Sequence, residues 1–134
     1  MRVITGLARG RRLETLPGED VTRPTSEKVK EAVFSALQFD IEGRRILDLF
    51  AGSGQLGIEA ISRGAKSCVF VDAGDKACSL IRENVKRCKM EEKCRIIRGD
   101  YLQFLQNCRE TFDIVFLDPP YAEIFLENAL NLIT

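Results

Sequence analysis

Asp48-Leu49-Phe50-Ala51-Gly52-Ser53-Gly54-Gln55-Leu56-Gly57 is the stretch that decides the fold of this 134-residue chain. The apolar run Arg45–Phe50 reads as a short strand. Gly52 and Gly54 let the backbone turn tightly and let a ligand approach it closely. Residues Leu56–Arg63 then read as a helix, ended by Gly64 at its C′ position. Strand, tight glycine turn and helix form the first half of a βαβ unit. The same alternation continues downstream, with strands predicted over Ser67–Val71, Cys94–Arg98 and Phe112–Leu117. Helices are predicted over Asp75–Lys89, with Ala77, Leu80, Ile81 and Val85 inward, and over Tyr101–Gln106 and Ile124–Leu132. Short strands that are apolar on both faces belong to a buried parallel sheet. Ligands then sit at the carboxyl ends of the strands, at the switch point.

Upstream, Arg23-Pro24-Thr25 leads into a helix from about Ser26 to Gln38. Val29, Val33, Ala36 and Leu37 form its apolar face, and Thr25 or Ser26 caps it. Residues 2–7 and 11–16 can pair as a hairpin around Ala8-Arg9-Gly10, where Gly10 supplies a positive φ. The expected organisation is a basic arm over 1–22 and a ligand-binding α/β domain over 23–134.

Gly52-x-Gly54-x-x-Gly57 also satisfies the dinucleotide pattern G-x-G-x-x-G. Asp72, 20 residues after Gly52, ends the second strand, where a carboxylate grips ribose hydroxyls. These features alone do not separate a nicotinamide cofactor from S-adenosylmethionine. Asp48 argues for the latter, because a carboxylate at the strand end repels pyrophosphate and attracts a methionine α-amino group. The plain alternative is a tight turn with Asp48 as a local cap, and it is the weaker reading for so dense a motif. Gly99-Asp100 closes the third strand. Asp100 can accept from an adenine amino group, cap the following helix, or both.

The fourth strand runs into Asp118-Pro119-Pro120-Tyr121. Two prolines set φ twice and supply no N–H, so the carbonyls and the Asp118 carboxylate form a rigid set of acceptors. An amino group donating to Asp118 and to the Pro119 carbonyl would present its nitrogen to an electrophilic methyl group. Asp118 can take the released proton. Tyr121 offers a flat face to an unstacked base, worth roughly 1–3 kcal/mol. A simple Pro-Pro turn with Tyr121 in the core competes for the tetrapeptide alone. It weakens because the loop falls beside the glycine turn.

Composition narrows the chemistry. The chain has no histidine, which removes the commonest general base and metal ligand. Its five cysteines contain no C-x-x-C pair, which favours free thiols over a disulfide framework or zinc, and no metal site is expected. No apolar run approaches the ~20 residues of a membrane span. The polar start is unlike a signal peptide, so a cytoplasmic location without membrane association is expected. Formal net charge is zero, yet Arg2, Arg9, Arg11 and Arg12 crowd the first twelve residues without an acid. Contact with a polyanion and a merely solvated terminus explain that equally well.

Taken together, these motifs resemble the ordered motifs of class I methyltransferases. Arg23-Pro24-Thr25, Glu31-Ala32-Val33-Phe34, Gly57-Ile58-Glu59-Ala60-Ile61-Ser62-Arg63-Gly64-Ala65 and the arm Gly6-x-x-x-Gly10-Arg11 narrow the resemblance to the RsmD family. These are bacterial methyltransferases of the guanine N2 amino group in small-subunit 16S rRNA. The resemblance covers nearly the whole chain. It implies a Rossmann-like α/β fold, S-adenosylmethionine as cofactor, and small-subunit rRNA as partner, free or in a partly assembled 30S particle. Asp48, Gly52 and Gly54 would line the methionine end of the cofactor, Phe50 and Ala51 would also bind the cofactor, Asp72 would hold ribose, and Asp100 with Tyr101 would meet adenine. Asp118 to Tyr121 would hold the target base, and Arg9, Arg11, Arg12 and Arg23 would contact RNA phosphates. Family members continue through further strands to a seven-stranded sheet. This chain stops at Thr134, which implies a C-terminally shortened form with an exposed fourth strand. A DNA amino-methyltransferase and an inert cofactor- or RNA-binding module are the competing readings.

Overall fold

The computed structural model describes residues 3–13, 27–49 and 51–117. Elements follow the expected alternation: α1 (Glu27–Ala36), β1 (Arg45–Leu49), α2 (Gln55–Ser62), β2 (Ser67–Asp72), α3 (Asp75–Arg87), a 3-10 turn at Glu91–Lys93, β3 (Cys94–Arg98), α4 (Tyr101–Asn107) and β4 (Ile114–Leu117). The four strands form one parallel sheet in the order β3-β2-β1-β4. Its order reverses between β1 and β4, where crevices form at the carboxyl ends. Register places Leu49 of β1 beside Leu117 of β4. The predicted helix over Ile124–Leu132 and the proposed cap at Thr25 or Ser26 lie outside the described residues.

Strand alternation divides the apolar side chains between two layers. Ile46, Cys68, Phe70 and Phe116 face the layer of α1, α2 and α3, with Phe34, Ile58, Ile61 and Ile81. Leu47, Leu49, Val69 and Val71 face the opposite way, against Tyr101. Burial on both faces explains why these strands read as continuous apolar runs.

Two expectations about packing are corrected. The buried face of α1 is built by Lys30 and Phe34, with Val33 and Leu37 half-buried and Ala36 exposed. Phe34 packs 5.5 Å from the Phe116 ring, with the Arg63 guanidinium 4.8 Å from its centroid. Val33 and Leu37 pack against the core as expected, and the stripe is rotated so that Lys30 and Phe34 are central and Ala36 falls outside it. The side chain of Val29 is outside the described residues. In α3, Leu80 is only half-buried, while Cys78 and Asn84 join Ala77, Ile81 and Val85 inside.

The arm is also less regular than a hairpin. Val3 N–H donates to Arg11 (2.9 Å) and Gly10 N–H to Val3 (2.9 Å), but residues 5–10 form turns. Gly10 has the expected positive φ of 82°. The N–H groups of Arg9 and Arg11 close turns within the arm, and those of Ile4, Thr5, Leu7 and Ala8 are used on α2. Residues 14–16, the other half of the predicted pairing, lie outside the described residues.

Gly57 shows how closely α2 lies on the sheet. A Cβ there would come within 2.3 Å of the Phe70 ring and 2.6 Å of Cys68 Sγ. Gly57→Ala is therefore expected to destabilise the fold by about 1–3 kcal/mol through overpacking. Urea unfolding checks this, and a change under about 0.5 kcal/mol would show that the contact yields easily.

Candidate cofactor and substrate site

The glycine turn is held from three sides. Gly52 has φ 62° and Gly54 φ 81°, so both need the left-handed region. Gly52 N–H donates to Asp72 Oδ2 at 3.0 Å, which ties the turn to the end of β2. Ala51 N–H donates to the Val71 carbonyl at 3.2 Å. From α3, the buried Asn84 donates through Nδ2 to the Ser53 carbonyl at 2.9 Å. The turn is a rigid platform at the carboxyl end of β1 before any ligand arrives.

The acids predicted for this region divide by what they touch. Asp48 is 1% exposed, and its Oδ2 accepts from Gly57 N–H at 3.1 Å. One oxygen thus performs the local bracing role that the sequence reading sets aside. Burial pushes the neighbouring Cys68 thiol well up, and the Asp48 charge adds to that. Asp72 is half-buried, and its other oxygen accepts from Gly74 N–H at 2.9 Å. A carboxylate oxygen offers two acceptor directions, so each Asp72 oxygen keeps capacity for a further donor. Asp100 caps α4, accepting from Leu102 N–H at 3.1 Å, and is exposed. Its capping role is therefore realised. Tyr101 is 4% exposed and packs in the apolar layer beneath Leu47 and Leu49, so its ring serves the core.

Beside Asp100, a cavity of about 510 Å³ opens along β3 and α4, lined in part by Arg98, Gly99, Gln103 and Phe104. At the other end of the sheet, β4 ends at Leu117, paired with Leu49. Phe50, Asp118, Pro119, Pro120, Tyr121 and Arg23 lie outside the described residues. What the register does establish is that the chain position before Asp118 adjoins the position before Phe50.

The largest polar feature is one that sequence reasoning missed. Glu59, 0% exposed, sits in the otherwise apolar middle of α2. Its Oε1 accepts from Ile4 N–H at 2.8 Å and meets the equally buried Lys30 Nζ at 3.1 Å. Its Oε2 accepts from Thr5 N–H at 3.0 Å and from Arg63 Nε at 2.8 Å. Burial pushes the Glu59 pKa up, but the bonds to Arg63 and Ile4, the Lys30 charge and the Thr5 bond outweigh it and hold the pKa below the ordinary value. Ser62, one turn on, accepts from Ala8 N–H through Oγ (2.9 Å) and donates to the Thr5 carbonyl (2.6 Å). Leu7 N–H donates to the Ser62 carbonyl. The arm is thereby locked onto α2, and Arg9, Arg11 and Arg12 are left exposed along it. An acid among Ile58, Ala60 and Ile61 is the signal that could have revealed this clamp.

Comparison with known proteins agrees with this architecture. The model of a family described as "Conserved hypothetical protein 95" matches residues 1–134. The chain is 46% identical to YlbH of Bacillus subtilis, a protein named as a candidate rRNA methyltransferase, over 99% of this chain and 73% of that one. It is 39% identical to ribosomal RNA small subunit methyltransferase D of Haemophilus influenzae, over 99% of this chain and 70% of that one. Among solved structures, a methyltransferase candidate of Escherichia coli, yhhF, superposes with a TM-score of 0.89 at 34% identity, covering 99% of this chain and 71% of that one.

Proposed function

This chain belongs to the RsmD family of ribosomal RNA methyltransferases, the family whose model spans its 134 residues, and from that premise we propose that it uses S-adenosylmethionine to methylate the exocyclic N2 amino group of a guanine in small-subunit rRNA. The observation that carries the proposal is the braced glycine turn at the switch point, with β4 ending in register beside it.

The donor set fits such a cofactor better than a dinucleotide. Asp72 suits ribose hydroxyls, and the negative charge of Asp48 behind the turn favours a cationic amino acid end over a pyrophosphate. Ala51, Gly52 and Gly54, with Phe50, would line that end, and Asp100 with the backbone of Tyr101 would meet adenine. When bound, the cofactor supplies an electrophilic methyl group on a positively charged sulfur. The chain's own residues do the rest. Asp118 and the Pro119 carbonyl accept from the guanine amino group and orient its nitrogen, while Pro120 stiffens the loop. Asp118 receives the released proton, and Tyr121 stacks on the extruded base. Arg9, Arg11 and Arg12, with Arg23, bind RNA phosphates, and such contacts weaken steeply with salt.

Transfer of labelled methyl groups to four acceptors tests this: free small-subunit rRNA, a partly assembled small subunit, duplex DNA and a control protein. Incorporation at guanine N2 in the rRNA or the particle is expected. Labelling of DNA alone would replace the proposal with a DNA amino-methyltransferase. Cofactor binding without transfer to any acceptor would replace it with an inert binding module.

A further inference from the structure

Asn84 is 0% exposed on the inward face of α3, among Ala77, Ile81 and Val85. An apolar residue would suit that position better by the ordinary rules. Asparagine is a poor helix former, and burying its amide costs free energy unless the amide is hydrogen-bonded. Its Nδ2 donates to the Ser53 carbonyl at 2.9 Å, across 31 residues of chain. Ser53 is equally buried, so this bond is closed to water at both ends.

The bond fixes the peptide between Ser53 and Gly54. A planar trans peptide points its C=O and its N–H in opposite directions. Asn84 holds the carbonyl, and Gly54 N–H donates to the Ala51 carbonyl at 2.8 Å, so the plane is pinned at both edges. Gly54 is also where the plane is free to turn. Its φ of 81° calls for glycine, as does the 3.3 Å that a Cβ would leave to Ile81 and Phe70. Glycine takes negative φ as readily as positive, so residue 54 does not by itself hold the peptide in one orientation. A flip would take Gly54 N–H off Ala51 and turn the Ser53 carbonyl away from α3. Asp72 holds a different peptide of the turn, through Gly52 N–H.

We propose that Asn84 is a positioning residue for the cofactor: by holding the Ser53–Gly54 peptide, it keeps the glycine turn in the conformation that receives S-adenosylmethionine. This rests on the reading of that turn as the cofactor site. Being fully buried, Asn84 acts through the Ser53 carbonyl and not on the ligand. Without it, only a fraction of the molecules has the turn set for binding, and the apparent affinity falls by that fraction. A cofactor once bound finds the turn in the same conformation in both proteins. The loss therefore falls on affinity and not on transfer at saturation.

The test uses the full chain and Asn84→Leu, which keeps the branching of the side chain and removes the donor. By calorimetry, the Kd for S-adenosylhomocysteine is expected to rise about 10-fold, with KM for S-adenosylmethionine rising alike and kcat at saturating cofactor within about twofold. Amide exchange followed by NMR on the ligand-free protein gives a readout apart from activity. The Gly54 amide should exchange at least about 10-fold faster, while the amides of β1 and β2 keep their rates. A merely structural role would speed all of these together. Should Asn84→Leu fail to fold, Asn84→Ala carries the same measurements. An unchanged Kd, a fall in kcat as large as the rise in KM, or faster exchange spread evenly over Gly54, β1 and β2 would each overturn the inference. A parent chain that binds no S-adenosylhomocysteine would instead overturn the reading of the turn as the cofactor site, and the inference with it.

Discussion

Asp118→Ala is expected to reduce methyl transfer to small-subunit rRNA by about 10²–10⁴-fold, the range for losing a positioned acid–base group, with S-adenosylhomocysteine affinity changed by less than about threefold. The separation follows from the layout. The cofactor-side contacts are assigned to the turn at 51–54 and to Asp72, and that turn is braced by β2 and α3. Asp118 follows the last residue of β4, which is in register with Leu49. Its proposed work is to hold the amino nitrogen and accept its proton. Calorimetry and single-turnover transfer on the same preparation check both halves. A variant that keeps its full rate would remove Asp118 from the mechanism. A variant that loses cofactor binding would make the residue part of the cofactor site. Asp118→Asn should recover some positioning and little proton acceptance, so it should lie between parent and alanine.

Glu59→Ala should cost about 3–5 kcal/mol, the typical penalty for leaving one member of a buried ion pair alone. Lys30 would remain fully buried without that carboxylate, and Ile4 and Thr5 would lose their acceptors. For a chain of this size the melting temperature should fall on the order of 10 °C or more. Combining Glu59→Leu with Lys30→Leu should recover part of the loss by removing both charges. The arm should also become sensitive to proteases, since its anchors at residues 4 and 5 are gone.

The same group sets an acid limit. The folded pKa of Glu59 lies below the ordinary value of 4.5. Its contribution is therefore complete above about pH 4.5 and is lost as pH falls through the lower, folded value. Urea midpoints measured from pH 7 down to 3 should drop on that limb for the parent and flatten for Glu59→Gln. A parent curve as flat as that of the variant would show that Glu59 titrates alike in both states.

How far the residues alone carry the reading depends on the distance over which each signal acts. Strand and helix positions were legible because apolar periodicity and glycine punctuation are local. The expected bounds differ from the observed ones by a residue or two at most ends, as at Asp72, Arg87 and Asn107. Gly64 ends α2 with φ 104°, as its position implies. The parallel sheet and the glycine turn at its switch point also followed from order and spacing. The arm did not. Ile4, Thr5 and Leu7 look like one side of a hairpin and Ala8 like the start of its turn, but their N–H groups reach Glu59 and Ser62, more than fifty residues away.

The α/β architecture, the glycine turn and the family to which the motif order belongs are all legible in the residues alone. Each is written in spacing that neighbouring residues enforce on one another. Which polar side chains brace the fold, and which is buried without a partner among the described residues, emerges only once the chain is packed. Asp48 braces Gly57, Tyr101 fills the core, Asn84 props Ser53, and Glu59 gathers four partners, whereas Gln55 Oε1 has none. Burial sets the value of a polar group. A carboxylate or amide costs little in water, and its partners become decisive only when packing removes the water, which depends on residues far away in the chain.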